Sequence, residues 1–268
     1  MYNPKNLIEL YSGNDLATLF KGDFINFGYW KNVPTVISEY DVVEANKNLY
    51  HQVFQRLSLN AQDKILEIGS GHGGGCALLS SSHSIKFITG LDYLAAHTEH
   101  SQKKHSSLVK LGKLQFLQGA AESIPMPDSS INKIYTIEAF QHFNARHAIP
   151  EFYRVLSPNG KLVISTLFAK NKSCFEELLT LIPRPALLSD SSDGEIAALP
   201  EVLNLLEKYS FQNIKLENIS QYVWLGYDTW VKQNDPSIWD MNWKIANEKG
   251  LLDYYIITAN IKNKYKKF

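Results

Sequence analysis

A carboxylate and five glycines fall within nine residues, Glu67 to Gly75, in "LEIGSGHGGG". Glu67, Gly69, Gly71 and Gly73 read as E-x-G-x-G-x-G. A loop of this composition turns sharply and leaves no Cβ to block a ligand from the backbone. The helix expected after it presents free N–H groups at its start, a place where a pyrophosphate can sit. Gly69, Gly71 and Gly74 also satisfy G-x-G-x-x-G, so the loop by itself suits a dinucleotide, S-adenosylmethionine, or a tight turn with no ligand. Asp92 follows at about the spacing at which an acid meets a ribose hydroxyl, which both cofactors carry.

A second set of residues could handle a proton. His142, in "EAFQHF", titrates near neutrality, as a general base should; it can equally be a packing histidine at a helix start. Glu138 stands four residues before it, near the cofactor or as a strand-end structural acid. His72 lies inside the glycine loop and reads as a loop residue. His97, His100 and His105 recur at helical spacing on a polar segment and read as a solvated face, with no metal expected. Six aromatics (Tyr222, Trp224, Tyr227, Trp230, Trp239 and Trp243) crowd one late stretch. They suit the wall of an acceptor pocket, where aromatic faces also attract cations, or the core of a cap.

The elements that must position these residues alternate. Strand-like runs lie at 64–69, 86–93, 114–120, 131–139 and 161–168, with helix-like segments between them. That alternation implies parallel βαβ units and an α/β sheet. Residues 1–60 read mainly as helix, and 61–168 as the α/β core. Residues 169–268 supply cap segments, an amphipathic helix at 199–211, and two closing strands of the same domain. Lys plus Arg and Asp plus Glu number 27 each, so no basic excess points to nucleic acid. Two distant cysteines, Cys76 and Cys174, form no metal spacing and fit a reducing, cytoplasmic setting. No signal-peptide pattern is visible, and no apolar run approaches the ~20 residues of a membrane span.

Five stretches resemble the class I S-adenosylmethionine-dependent methyltransferases of the small-molecule, natural-product and tocopherol-type group. "LEIGSGHGGG" resembles the family's first motif, and "GLDY" its acidic ribose-binding turn. "GAAESIPMPDSSINKIYTIEAFQHF" resembles the stretch that ends in E-S-x-x-H. "EFYRVLSPNGKLVIS" resembles its helix-to-strand segment, and "FINFGYW" an N-terminal F-G-Y-W. The resemblance implies a Rossmann-like seven-stranded sheet with helices on both faces, an N-terminal helical lid and a C-terminal aromatic cap. It implies S-adenosyl-L-methionine as cofactor, S-adenosyl-L-homocysteine as product, and a small-molecule acceptor methylated at O or N by in-line displacement.

Residue by residue, it places Glu67, Gly69, Gly71 and Gly73 at the cofactor. Asp92 falls on the ribose hydroxyls, Tyr93 beside the adenine or ribose, Ala121 and Glu122 at the adenine edge, and Glu138 near the amino end. Tyr29 and Trp30 fall in a lid over the cofactor, His142 at the acceptor as base, and Trp224, Tyr227 and Trp230 on the acceptor side. The chain departs from the family pattern at Ala120, where an Asp is common, and at Ser165 and Thr166, where some relatives carry an acid. Two other classes stay open at this point: a nucleoside-binding protein without turnover, and a nicotinamide oxidoreductase.

Overall fold

The computed structural model describes residues 20–182, 198–234 and 242–262. Seven strands form one sheet in the order β3-β2-β1-β4-β5-β7-β6. They are β1 (Lys64–Ile68), β2 (Phe87–Asp92), β3 (Leu114–Gln118), β4 (Ile131–Ile137), β5 (Leu156–Ala169), β6 (Phe211–Asn218) and β7 (Leu252–Ile261). The first five pair in parallel, Leu66 opposite Thr89 and Ile134, for example. β7 runs antiparallel to both β5 and β6.

The central strands are apolar at nearly every position, because both faces are covered. Successive side chains alternate between two cores. Ile65, Tyr135, Val163 and Tyr254 enter one, with Leu49, Val53 and Phe54 of helix α1 (Glu39–Leu57). Leu66, Ile134, Leu162 and Ile257 enter the other, with Ile149 and Phe152 of α5 (Ala145–Val155) and Val202 and Leu206 of α7 (Leu199–Lys208). Helix α1 starts at a reciprocal cap, where Asp41 N donates to Ser38 Oγ (3.2 Å) and Ser38 N donates to the Asp41 carboxylate (2.8 Å).

Three local readings change. The polar helix after β2 is two pieces, α3 (Ala95–Lys104) and α4 (Ser106–Lys110), parted at His105. Helix α5 stops before the expected Pro158 and Gly160, and β5 begins at Leu156, which pairs with Ile131 of β4; pairing resumes at Lys161 opposite Lys133, with a register shift across Pro158 and Gly160. The N-terminal region is less helical than expected over its described part: residues 20–38 run as turns and extended chain before α1. The expected helix over residues 1–19, and Trp239, lie outside the described residues. The remaining helices among the described residues are α2 (Gly74–Ser82), α6 (Phe175–Leu181), α8 (Trp224–Asn234) and α9 (Trp243–Glu248). Among the described residues, no helix is long and apolar enough to cross a membrane.

Candidate active site

The order of strands reverses between β1 and β4, and ligands of open α/β sheets bind beyond the strand ends at such a switch. A cleft opens there. Gly69 and Gly71 follow β1, Asp92 ends β2, Glu138 and His142 follow β4, and Ile25 comes from the N-terminal segment; all six line it.

The glycine loop and Asp92 are held to each other. Gly71 has φ +51° and donates its N–H to Asp92 Oδ2 at 2.8 Å. A Cβ on Gly71 would meet only Ile25 Cδ1 at 3.6 Å, so its left-handed backbone rather than crowding demands glycine. Asp92 Oδ1 accepts from Leu94 N at 3.0 Å and faces His97 Nδ1 at 3.2 Å. A carboxylate has about four acceptor sites, so Asp92 is oriented yet still able to accept from a ligand. Gly73 stands at the N-cap of α2 against Phe116 and does not line the cleft.

Glu67, two residues before the loop, points away from the cleft into a sealed polar knot. It accepts from Tyr50 Oη (3.1 Å), Tyr135 Oη (2.9 Å) and Cys76 Sγ (2.9 Å). Burial pushes its carboxyl up to about 7 against these three donors. The Cα of Gly75 packs on the knot, where a Cβ would lie 2.1 Å from Tyr50 Cε1. The acid of the motif thus anchors β1, α1 and α2 to one another.

Glu138 is also buried, but it opens on the cleft. Its Oε1 accepts from Phe27 N at 2.8 Å and from Tyr254 Oη at 2.9 Å. Burial pushes it up to about 8, with those two bonds opposing. Its backbone is left-handed, φ +49°, uncommon for a residue with a side chain. The main chain is held there because Glu138 N donates to Ser165 O (2.8 Å) and Gln141 Nε2 donates to Glu138 O (2.8 Å). Thr166 in turn donates to Gln141 Oε1 at 2.5 Å, which gives the hydroxyls of β5 a supporting role. His142 closes the short 3-10 turn Phe140–His142 and reaches the cleft beside Phe143.

Other expected residues distribute unevenly. Tyr93 and Ala121 line the cleft. Glu122 does not; its Oε1 accepts from Asn144 N at 2.6 Å and ties the β3–β4 connection to the start of α5. Tyr29 packs on Tyr222 at 4.7 Å. Trp30 is buried, donating Nε1–H to Phe27 O and its backbone N–H to Tyr222 O. Trp224 and Tyr227 surround Phe27, with centroids at 5.6 and 4.4 Å, and Trp230 joins Trp30 in a small separate core. These five aromatics therefore bind the N-terminal segment to the cap, and the cleft itself is reached by Ile25 of the same "FINFGYW".

The structure also adds His97, Leu94 and Phe143 to the lining. Their signal was adjacency to "GLDY" and to His142. The expected solvated histidine face is not one: His97 is buried on Asp92, and His105 Nε2 lies 3.2 Å from His72 O. Only His100 of the three is exposed. Burial first, then the nearby His97 and His100, pushes His72 down to about 4.

Comparison with known proteins matches residues 66–164 to a family described as a methyltransferase domain. The chain is 30% identical over 181 residues to the O-methyltransferase rstn1 of Aspergillus nomiae, an alignment covering 64% of this chain and 78% of that protein. The geranyl diphosphate C-methyltransferase of Streptomyces coelicolor, solved with Mg²⁺, geranyl diphosphate and S-adenosyl-L-homocysteine, superposes with TM-score 0.76 at 14% identity, covering 96% of this chain and 98% of that one. The [4+2]-cyclase SpnF superposes with TM-score 0.71 at 19% identity, covering 97% and 94%. These last two likenesses are of fold.

Proposed function

The chain belongs to the class I S-adenosylmethionine-dependent methyltransferases, and from that premise we propose that it methylates an oxygen or nitrogen atom of a small-molecule acceptor, with oxygen the first choice. The observation that carries this reading is the meeting, in one cleft, of the Asp92 carboxylate with His142 and Glu138. The nicotinamide alternative falls with the family assignment.

The cleft suits the cofactor. Asp92 offers acceptor oxygens to a pair of ribose hydroxyls, Ile68, Leu91 and Ala121 offer apolar surface to a flat base, and the Gly69–Gly71 backbone offers close approach. Bound S-adenosylmethionine supplies a methyl group already activated by its sulfonium. What remains for the protein is positioning and proton handling. Gly71 and His97 fix Asp92, so the ribose end is held by a carboxylate that cannot swing. His142, on the acceptor side of the same cleft, takes the proton that an attacking hydroxyl must lose. Glu138 ties Phe27 of the N-terminal segment to Tyr254 of β7 and holds that segment over the cleft.

On this reading residues 1–60 are the lid, 61–168 the cofactor core and 169–268 the cap with the closing strands. Tyr29, Trp30, Trp224, Tyr227 and Trp230 serve by holding Phe27 and its neighbours in place, while Glu67 and Gly73 set the shape of the loop.

The test is mass spectrometry of reactions between the protein, S-adenosylmethionine and a panel of phenols, alcohols, carboxylic acids and amines. Methylated product from a hydroxyl acceptor, lost in His142→Ala, is expected. Cofactor binding without product from any oxygen or nitrogen acceptor would sink the proposal. Turnover of amines that survives His142→Ala would move the assignment from oxygen to nitrogen.

A further inference from the structure

Outside the cleft, three side chains from three separate segments converge on one point. Asp23 comes from the N-terminal segment, His72 from the glycine loop and His100 from α3. A carboxylate oxygen and one nitrogen of each imidazole lie within 4.8 Å of one another. We propose that Asp23, His72 and His100 form a site for a zinc-class divalent transition-metal ion that clasps the N-terminal segment to the glycine loop.

The donor set is right for such an ion. Two imidazoles and a carboxylate, with water in the fourth position, make a tetrahedral zinc shell, and imidazole favours zinc, copper or nickel over magnesium or calcium. Bonds of about 2.0–2.1 Å require donor separations of roughly 3.3 Å, so the three groups must close slightly. His100, exposed to solvent and packed on the His72 ring at 4.7 Å between centroids, can move to do so.

The surroundings already orient the other two. His72 O lies 3.2 Å from His105 Nε2, and the His72 ring packs edge-on against His97 at 5.1 Å. Asp23 is seated so closely on α2 that a Cβ on Gly74 would lie 2.6 Å from Asp23 O. One group competes: Lys104 Nζ donates to Asp23 Oδ1 at 2.6 Å. The ion must share or displace this cation, which weakens its hold.

The consequence follows from connectivity. Two residues beyond Asp23, Ile25 lines the cleft, and two further, Phe27 N holds Glu138. An ion joining Asp23 to His72 fastens this cover to the loop that borders the cofactor. The clasp therefore slows exchange of the bound nucleoside without touching it.

The experiment is calorimetric titration of tag-free protein with ZnCl₂, followed by stopped-flow measurement of S-adenosylhomocysteine release with and without the metal. One ion per chain is expected, with affinity falling at least tenfold in His100→Ala and in Asp23→Asn. Lys104→Met should tighten binding several-fold, which adventitious surface binding would not do. Zinc should slow nucleoside release in the wild type and not in His100→Ala. Absence of stoichiometric binding, or binding unchanged in both ligand variants, overturns the site. Equal release rates with and without bound zinc overturn the clasp.

Discussion

Two glutamates end neighbouring strands of one sheet, and they show what burial alone does not decide. Glu67, on β1, and Glu138, just after β4, are both buried, both accept from tyrosine hydroxyls, and both are pushed above the ordinary carboxylate range. Glu67 spends its oxygens on three donors under α2 and has no exit. Glu138 spends one oxygen on two donors and faces the cleft. The first region is a structural knot. The second joins the N-terminal segment to β7 at the edge of the cleft. A buried acid becomes available to a reaction when its surroundings leave an oxygen over and a space beside it.

The largest expected effect lies on the open side. His142→Ala should lower kcat for a hydroxyl acceptor by about 10²–10⁴-fold, the usual range for a lost general base, with S-adenosylmethionine affinity by calorimetry unchanged. A matching loss of cofactor affinity would make His142 a binding residue. On the sealed side, Glu67→Ala should cost stability instead. It strands two tyrosine hydroxyls and a thiol, each buried unsatisfied group costing about 1–3 kcal/mol and the total less than their sum. A fall of about 3 kcal/mol in urea unfolding is expected, with turnover per folded molecule retained. Lost turnover at unchanged stability would erase the contrast between the two regions.

A smaller effect tests the cofactor end. Asp92→Ala removes an acceptor of charge-assisted hydrogen bonds, each worth about 1.5–3 kcal/mol. S-adenosylhomocysteine binding should weaken by roughly 10–100-fold, which calorimetry reads directly. A last effect is in pH. Both glutamates have folded pKa values above 4.5, so their contribution to stability is complete below about 4.5 and is lost as pH rises through about 7 for Glu67 and about 8 for Glu138. Denaturation midpoints should fall between pH 5 and pH 8 on this account, in the order of those two values. In Glu138→Gln the upper part of that fall should flatten, and in Glu67→Gln the lower part. A profile unchanged in both variants would mean that neither acid holds its proton on folding.

Much of this was legible in residues. "KILEIG" through "GLDY" announces strand, glycine turn, helix, strand and acid, because a parallel strand buried on both faces must be apolar throughout and the turn must be small. The motifs assign Asp92, Gly69, Gly71, Glu138 and His142 to one place, and all five line one cleft. "FINFGYW" reads as a lid through its tyrosine and tryptophan, yet Ile25 is what lines the cleft. Large rings signal burial equally well in a pocket wall and in a core, and nothing in local sequence says which. Trp224, Tyr227 and Trp230 illustrate the same ambiguity, since each is buried against the N-terminal segment and away from the cleft.

What the sequence determined by itself is the part of the protein set by neighbours along the chain: the strand–loop–helix alternation, the glycine turn and the acid at the end of β2, with the choice of S-adenosylmethionine over a dinucleotide resting on the family resemblance of several stretches together. Those features are local, because backbone freedom, apolar runs and helix starts are properties of a few consecutive residues. Tertiary structure alone decided which acid is sealed and which is open, which aromatic is wall and which is core, and that Asp23, His72 and His100 stand together. Each of these depends on partners far away in the chain: Tyr135 for Glu67, Tyr254 for Glu138, Trp224 for Phe27. Long-range contacts set dielectric, hydrogen-bond supply and access, and no stretch of sequence carries them.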